Sequence, residues 1–173
     1  MEKEGTSRMS VITLHRSEII YDIEQEAWAE GENIPEEFRK SKHLVQDIVE
    51  DGQADRATRI MNLAYSECVE MLYPYTKRTF SGEDYTKENT LRIANEYVFQ
   101  LENLPAAVST TSIDILGGLL HEYIVSRVLQ DRLTTTKKES AAEWQIKIDE
   151  IKRKVNSVLC RRIRPVRRRL SPF

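Results

Sequence analysis

Glycine and proline are scarce in this chain, with six and five residues among 173. Multi-stranded sheets need frequent turns, and turns depend strongly on these two residue types. The scarcity therefore argues against a sheet-rich fold. We expect an all-α fold, a bundle of about five to six helices with an extended basic C-terminal arm, and more than half of the residues in helices.

Cysteine is also rare: Cys68 and Cys160 lie far apart in the sequence, and neither belongs to a Cys-x-x-Cys pair. Disulfide frameworks are typical of small secreted domains, and this chain has none. The N-terminal stretch MEKEGTSRMSVITLH is polar and lacks the apolar run of a signal peptide. We therefore expect a reducing compartment.

Long hydrophobic runs are missing as well. A membrane-spanning helix needs about 18 consecutive apolar residues, and no stretch of this chain reaches that length without interruption. The longest candidate, SIDILGGLLHEYIVSRVL, is interrupted by Asp114, His121, Glu122 and Arg127. The length of 173 residues fits one domain with tails. We predict a soluble protein that does not bind membranes, with an N-terminal segment over 1–16, a helical domain over 17–160 and a docking arm over 161–173.

Residues suited to catalysis or metal binding are thinly spread. His15, His43 and His121 are scattered, and none has a second ligand at metal-binding spacing. Glu67 and Glu70 flank Cys68 on one helix, but the Glu-x-x-His pattern of helical carboxylate metal sites does not occur. Phosphate-loop, nucleophile-elbow and zinc-protease motifs are missing too. We therefore expect no enzyme activity, no cofactor and no metal site.

Apolar residues recur at helical spacing along most of the chain. This pattern predicts helices over 17–31, 35–52, 53–72, 87–101, 110–133 and 139–159, with an aromatic loop over 73–89. The helix over 110–133 is the most apolar, so we expect it to be the most buried. Its predicted core-facing residues are Ile113, Leu116, Leu120, Ile124 and Val128.

Several smaller expectations concern packing. The Gly117–Gly118 pair costs about 1 kcal/mol per residue relative to alanine, which suggests a close helix crossing or a kink. Trp28 and Tyr97 lie outside the best core stripes, so we expect some of these residues to be buried between subunits if the protein forms a ring. Phe38 falls in the predicted buried stripe of the second helix, together with Val45, Ile48 and Val49.

Charge is segregated along the chain. Of 26 basic residues, six lie in the last thirteen positions, where no acidic residue occurs. This leaves 20 basic against 28 acidic residues in 1–160, a net charge of −8 that the total of −2 conceals. An acidic body disfavours the wrapping of duplex DNA, because non-specific affinity comes from phosphate neutralisation. It suits an oligomer in which a basic arm lies on a neighbour's acidic face.

The C-terminal sequence RRIRPVRRRLSPF mixes cations with apolar side chains. Pro165 and Pro172 favour an extended backbone, and thirteen extended residues reach about 40 Å. A solubilising tail or a purely electrostatic arm does not need four apolar anchors, whereas a docking peptide does. The predicted partner-binding residues are Arg161, Arg162, Ile163, Arg164, Pro165, Val166, Arg167, Arg168, Arg169, Leu170 and Phe173.

The stretches LGGLLHEYIVSRVL, SAAEWQIKIDEIKRKVNSVLCRR and RPVRRRLSPF together resemble head–tail connector proteins, the neck adaptors of tailed phages that infect Bacteroides-like bacteria. The resemblance is best over residues 87–173. It implies a virion protein, assembled in the bacterial host cytoplasm, that forms a homo-oligomeric and commonly dodecameric ring beneath the portal. Through this ring DNA would pass without sequence-specific binding, and the arm would reach the portal or neighbouring neck or tail proteins.

Two other functions stay open. The first is a nucleic-acid-binding accessory protein, for example in DNA packaging, that uses the arginine-rich tail on phosphates. The second is a small enzyme, which would need a clustered site that the sequence does not display.

Overall fold

A computed structural model describes residues 8–49, 54–78, 92–104 and 108–160 of the chain. Helices account for 72% of these residues, which confirms the expectation of a helix-dominated fold. Two strands form a small antiparallel sheet beside the helices, so the fold is not purely α-helical.

The described elements follow one another along the chain in a simple order. They are β1 (Arg8–His15), α1 (Arg16–Glu32), a 3-10 turn (Glu36–Phe38), α2 (Arg39–Gln46), α3 (Ala54–Met71), β2 (Glu96–Leu104), α4 (Thr110–Thr136) and α5 (Lys138–Cys160). The helices α1, α3, α4 and α5 lie within a few residues of the predicted bounds.

The helix α4 is the centre of the molecule, as its apolar sequence predicts. It contacts α1, α2, α3, α5 and β1, and its most extensive packing is against α5. Leu116, Leu120, Ile124 and Val128 are buried as expected, and Ile113 is half-buried against the same core. Burial of these branched side chains removes apolar surface from water, which is the main driving force for folding.

The neighbouring helices each turn one apolar line toward α4. The inner line of α5 consists of Trp144, Ile148, Ile151 and Val155, all buried. In α3 the inner line includes Ala57, Ile60, Met61, Ala64 and Cys68, all buried. The lines on α1, α3 and α5 therefore confirm the predicted helical periodicity.

The predicted helix over 87–101 is wrong where the structure describes it, because residues 96–104 form the strand β2. Tyr97, Phe99 and Leu101 are buried at every second position, whereas Val98 and Gln100 between them are half-buried and exposed, respectively. This two-residue period is that of a strand with one face on the core. The partner strand β1 lies in the N-terminal segment and buries Ile12 and Leu14 in the same way.

The sheet contains a bulge near its end. Arg8 pairs with Leu104 and Ser10 pairs with Leu101, so two residues of β2 face one residue of β1. One of the two, Asn103, has a positive φ of 57°, a conformation that asparagine tolerates better than most residues.

Polar side chains fasten the sheet to α3. The Tyr65 hydroxyl donates a hydrogen bond of 2.8 Å to the Val98 carbonyl. The Tyr97 hydroxyl donates a bond of 3.1 Å to the Asn62 side chain. Tyr97 is therefore a core residue of the single chain, although it lies outside the predicted core stripes, and it is not one of the residues that a neighbouring subunit would cover.

Two further packing expectations are corrected. The second helix is shorter than predicted, and Phe38 ends a 3-10 turn with 59% of its side chain exposed, so it does not join Val45 and Ile48 in the core. Among the described residues, an added Cβ at Gly118 would meet no atom within 4 Å, and at Gly117 it would meet only the Ile12 side chain. The glycine pair therefore does not mark a close helix crossing. None of the described helices is long and apolar enough to cross a bilayer.

Candidate docking surface

The predicted partner-binding residues, Arg161–Phe173, lie outside the described residues, as do 79–91 and 105–107. The helix α5, which precedes the arm, is described up to Cys160. What the structure supplies is therefore the surface of the body, on which a basic arm would have to bind.

The outward face of α1 combines aromatic and acidic side chains. Tyr21 and Trp28 are each 60% exposed, and they are seven residues apart, so they lie two helical turns apart on one face. Carboxylates border both rings at spacings of three or four residues. We call this set the α1 stripe; its members are Glu18, Tyr21, Glu24, Trp28 and Glu32.

The charge of α1 is almost entirely negative, with six acidic residues and one arginine in seventeen positions. Glu18, Glu24 and Glu26 are exposed and make no ion pair or hydrogen bond with any other part of the described chain. All three carboxylates are exposed to water, and Glu18 and Glu24 lie beside the rings. They are available to a cationic partner without the loss of an internal contact.

The remaining acidic residues of α1 hold the helix in place. Asp22 lies 2.7 Å from the His121 ring of α4, where the two residues can form an ion pair if the histidine is protonated. Glu30 accepts a hydrogen bond of 2.9 Å from the Trp144 indole and lies 3.6 Å from the Lys137 ammonium. These polar contacts and the buried residues of α1 together set the orientation of the helix about its axis. The α1 stripe therefore faces outward from a well-packed helix.

A shallow groove of about 360 Å³ opens at the N-terminal end of the stripe. It is lined by His121 of α4 and by four residues of α1, Ser17, Glu18, Tyr21 and Asp22. A guanidinium group can form two parallel hydrogen bonds to a carboxylate and can also stack on an aromatic ring. The α1 stripe offers both kinds of contact within one or two helical turns.

A second polar cluster lies between α3 and α4. The Tyr123 hydroxyl donates a hydrogen bond of 2.7 Å to Glu67, and the Arg127 guanidinium lies 3.4 Å from the same carboxylate oxygen. Burial, and then the bond to Glu67, raises the pKa of Tyr123; burial also raises the pKa of the neighbouring Cys68. Both groups therefore keep their protons at neutral pH, and the cluster acts as an internal link between two helices.

The histidines are as scattered in space as they are in sequence. His15 lies 3.3 Å from Glu96 at the start of the sheet, and His121 pairs with Asp22 far from it. His43 is exposed on α2. Within the described ranges, no three His, Cys, Asp or Glu residues are grouped so that they could hold a metal ion.

Sequence reasoning identified Trp28 but missed Tyr21. The signal was present, because Tyr21 and Trp28 fall on the side of the helix opposite Ile19, Ile23 and Ala27. Two aromatic residues at heptad spacing on a polar face differ from single exposed apolar residues, which are normal on protein surfaces.

Comparison with models of protein families, with curated proteins and with solved structures finds no match to this chain.

Proposed function

We propose that this protein is a structural component of a tailed-phage neck, whose copies form an oligomeric ring that connects the portal and head to the tail. DNA passes through the ring in this proposal, and the C-terminal arm binds a neighbouring copy or the portal. The placement in a phage neck rests on the resemblance of residues 87–173 to head–tail connectors.

The observation that carries the assembly role is the self-complementary charge of the chain. The arm over 161–173 holds six arginines and no acidic residue, while α1 exposes carboxylates that make no contact within the described body. Opposite charges on two parts of one chain attract copies to one another and orient their approach.

Exposed apolar side chains on several elements support the same role. Met9 on β1, Trp28 on α1 and Ile146 on α5 each expose 60% or more of their surface. Large side chains at the centre of an interface supply most of its binding energy. Exposed apolar positions on three different elements suit a subunit that contacts more than one neighbour.

The oligomeric state of the full chain tests the proposal. We expect sedimentation velocity and mass photometry to show a concentration-dependent oligomer, and a stable ring in the presence of the portal. The double substitution Leu170→Ala/Phe173→Ala retains all six arginines and should prevent assembly. Ser171→Ala is the matched control in the same segment and should assemble normally. A chain that stays monomeric, both alone and with the portal, would contradict the proposal.

The second candidate function is DNA binding, which the arginine density of 161–173 favours. An arm that binds phosphates should lose affinity with salt at a log–log slope of about −0.9 per phosphate neutralised. It should also be nearly indifferent to Phe173→Ala. A gel-shift series over salt concentration, with the same variants, distinguishes the two functions. Normal assembly of the double variant, together with loss of DNA binding on reversal of the arginine charges, would favour DNA binding.

A further inference from the structure

We infer that the α1 stripe is the receptor for residues 161–173 of this same chain, supplied by a neighbouring copy. The inference rests on the proposed assembly function and names the surface that the arm binds. It commits to one occupant: the basic, apolar-anchored segment Arg161–Phe173.

Charge supports this choice of occupant. Glu18 and Glu24 of the stripe carry no compensating cation within the described body, whereas other acidic residues of α1, including Glu32 at the end of the stripe, are already paired. The segment 161–173 offers six guanidinium groups and no carboxylate side chain. A ligand rich in arginine gains charge-assisted hydrogen bonds on this face, while an acidic ligand would be repelled from it.

The apolar contacts fit equally well. In an α-helix, side chains seven residues apart are separated by about 10 Å, which is the spacing of Tyr21 and Trp28. In a polyproline II segment, which prolines favour, residues three apart lie on one side about 9 Å apart, and this would be the separation of Leu170 and Phe173 in a bound arm of that conformation. One pair of anchors can therefore contact both exposed rings at once, with arginines beside the intervening Glu24.

Aromatic and cationic groups reinforce one another in this arrangement. An arginine placed over the exposed face of Trp28 gains a cation–π interaction, and desolvation of that contact strengthens it. Tryptophan, tyrosine and arginine are the residue types most often found at the energetic centre of protein interfaces. The stripe and the arm together contain all three.

Photo-cross-linking of the full chain tests the inference directly. Phe173 is replaced by benzoylphenylalanine, the protein is irradiated, and cross-linked peptides are identified by mass spectrometry. We expect the main product to join residue 173 to the peptide that contains Tyr21 and Trp28. A main product on another helix, or on duplex DNA added to the sample, would overturn the inference.

Substitutions on the stripe provide the matched comparison. Glu24→Lys/Trp28→Ala should lower the cross-linking yield at least about tenfold, since it removes one carboxylate and one ring. Glu143→Lys/Ile146→Ala makes an equivalent change on exposed positions of α5 and should alter the yield by less than about twofold. Equal losses in the two variants would contradict a specific receptor on α1.

Isotope labelling separates this inference from the assembly proposal. Labelled and unlabelled copies are mixed before irradiation, and the isotope content of each cross-link is measured. Mixed-isotope products on α1 support both ideas. Single-isotope products on α1 mean that each arm binds its own body, which overturns the supply of the arm by a neighbouring copy and contradicts assembly through the arm. A ring without any cross-link to α1 supports assembly and overturns the receptor site.

Discussion

Two adjacent helices, α1 and α4, use their surfaces in opposite ways. In α4 four consecutive residues, Tyr123–Ser126, are all buried, so protein covers the helix on every side at that level. In α1 only one line is buried, and the opposite face exposes the rings of Tyr21 and Trp28 beside unpaired carboxylates. The same chain therefore contains one helix that is buried on all sides at its middle and another that leaves about half of its surface exposed and available for contacts with a partner.

The polar groups of the two helices show the same difference. Tyr123 and Arg132 of α4 each find a partner inside the protein. Glu24 and Glu26 of α1 find none in the described body. Changes in α4 should therefore be measured as loss of stability, and changes on the outer face of α1 should be measured as loss of association.

Truncation of the α4 core should have the largest effect. Leu120 is fully buried, and Leu120→Ala should lower the free energy of unfolding by about 2–5 kcal/mol, because it removes apolar contacts and leaves a cavity. Urea unfolding followed by circular dichroism measures this loss. Ile115→Ala on the exposed side of the same helix is the control, with a loss below about 1 kcal/mol. Equal losses would mean that α4 is not buried as described.

Removal of a buried donor should have the next largest effect. Two N–H groups of Arg132 donate to the Leu44 carbonyl at 2.8 and 2.6 Å, and only 7% of this side chain is exposed. Arg132→Met leaves that carbonyl without these donors, at an expected cost of about 1–3 kcal/mol. The exposed Arg153→Met on α5 is the matched variant for the same unfolding measurement. A smaller cost for Arg132 than for Arg153 would contradict the linking role of this side chain.

Alkaline pH should weaken the interior progressively. Burial raises the pKa of the Cys68 thiol above its ordinary 9.0 and the pKa of Tyr123 above its ordinary 10.0. Above about pH 9 the unfolded chain begins to lose these protons while the folded chain keeps them. The contribution of these two groups to the free energy of unfolding is therefore fully present below this pH and decreases as the pH rises. Each group contributes a slope of up to about 1.4 kcal/mol per pH unit.

Urea unfolding between neutral pH and pH 11 measures this profile. The variant Tyr123→Phe should show a shallower decline above pH 10, since it lacks one of the groups that titrate. An identical decline in both proteins would mean that Tyr123 ionises in the folded state as it does in the unfolded chain.

For glycine-to-alanine substitutions the expected effects on stability are reversed: the change should be favourable in α4 and unfavourable in α1. An added Cβ meets no atom of the described chain within 4 Å at Gly118 of α4, so Gly118→Ala should stabilise the protein by about 1 kcal/mol through helix propensity. At Gly31 of α1 the same atom would lie 2.5 Å from the Gln46 side chain, so Gly31→Ala should destabilise the contact between α1 and α2. Thermal unfolding of both variants checks the two signs. A gain at Gly31 would show that Gln46 moves aside at little cost.

The smallest effect on stability is expected on the α1 stripe. Trp28→Ala should change the free energy of unfolding by no more than about 0.5 kcal/mol, because the side chain is mostly exposed. Self-association of the full chain should nevertheless weaken, and sedimentation velocity at several concentrations measures it. A large loss of stability without a change in association would place Trp28 with the core rather than with the surface.

The sequence alone was sufficient for the long helices. The period of apolar residues predicted α1, α3, α4 and α5, since each presents a regular line to the core. It failed for β2, where Tyr97, Phe99 and Leu101 follow a two-residue period inside a stretch that also fits a helix. Short apolar segments can form either a helix or a strand, and the presence of a partner strand decides between these two structures. That partner, β1, lies some eighty residues earlier in the sequence.

Composition and periodicity by themselves determined the helix-dominated fold, the central place of α4 and the separation of an acidic body from a basic arm. These properties depend on the order of residues along the chain. Only the tertiary structure decided that Tyr97 is internal, that Phe38 is external and that Tyr21 and Trp28 share a face with unpaired carboxylates. Such properties depend on which elements pack together, because a side chain is buried only where another element covers it.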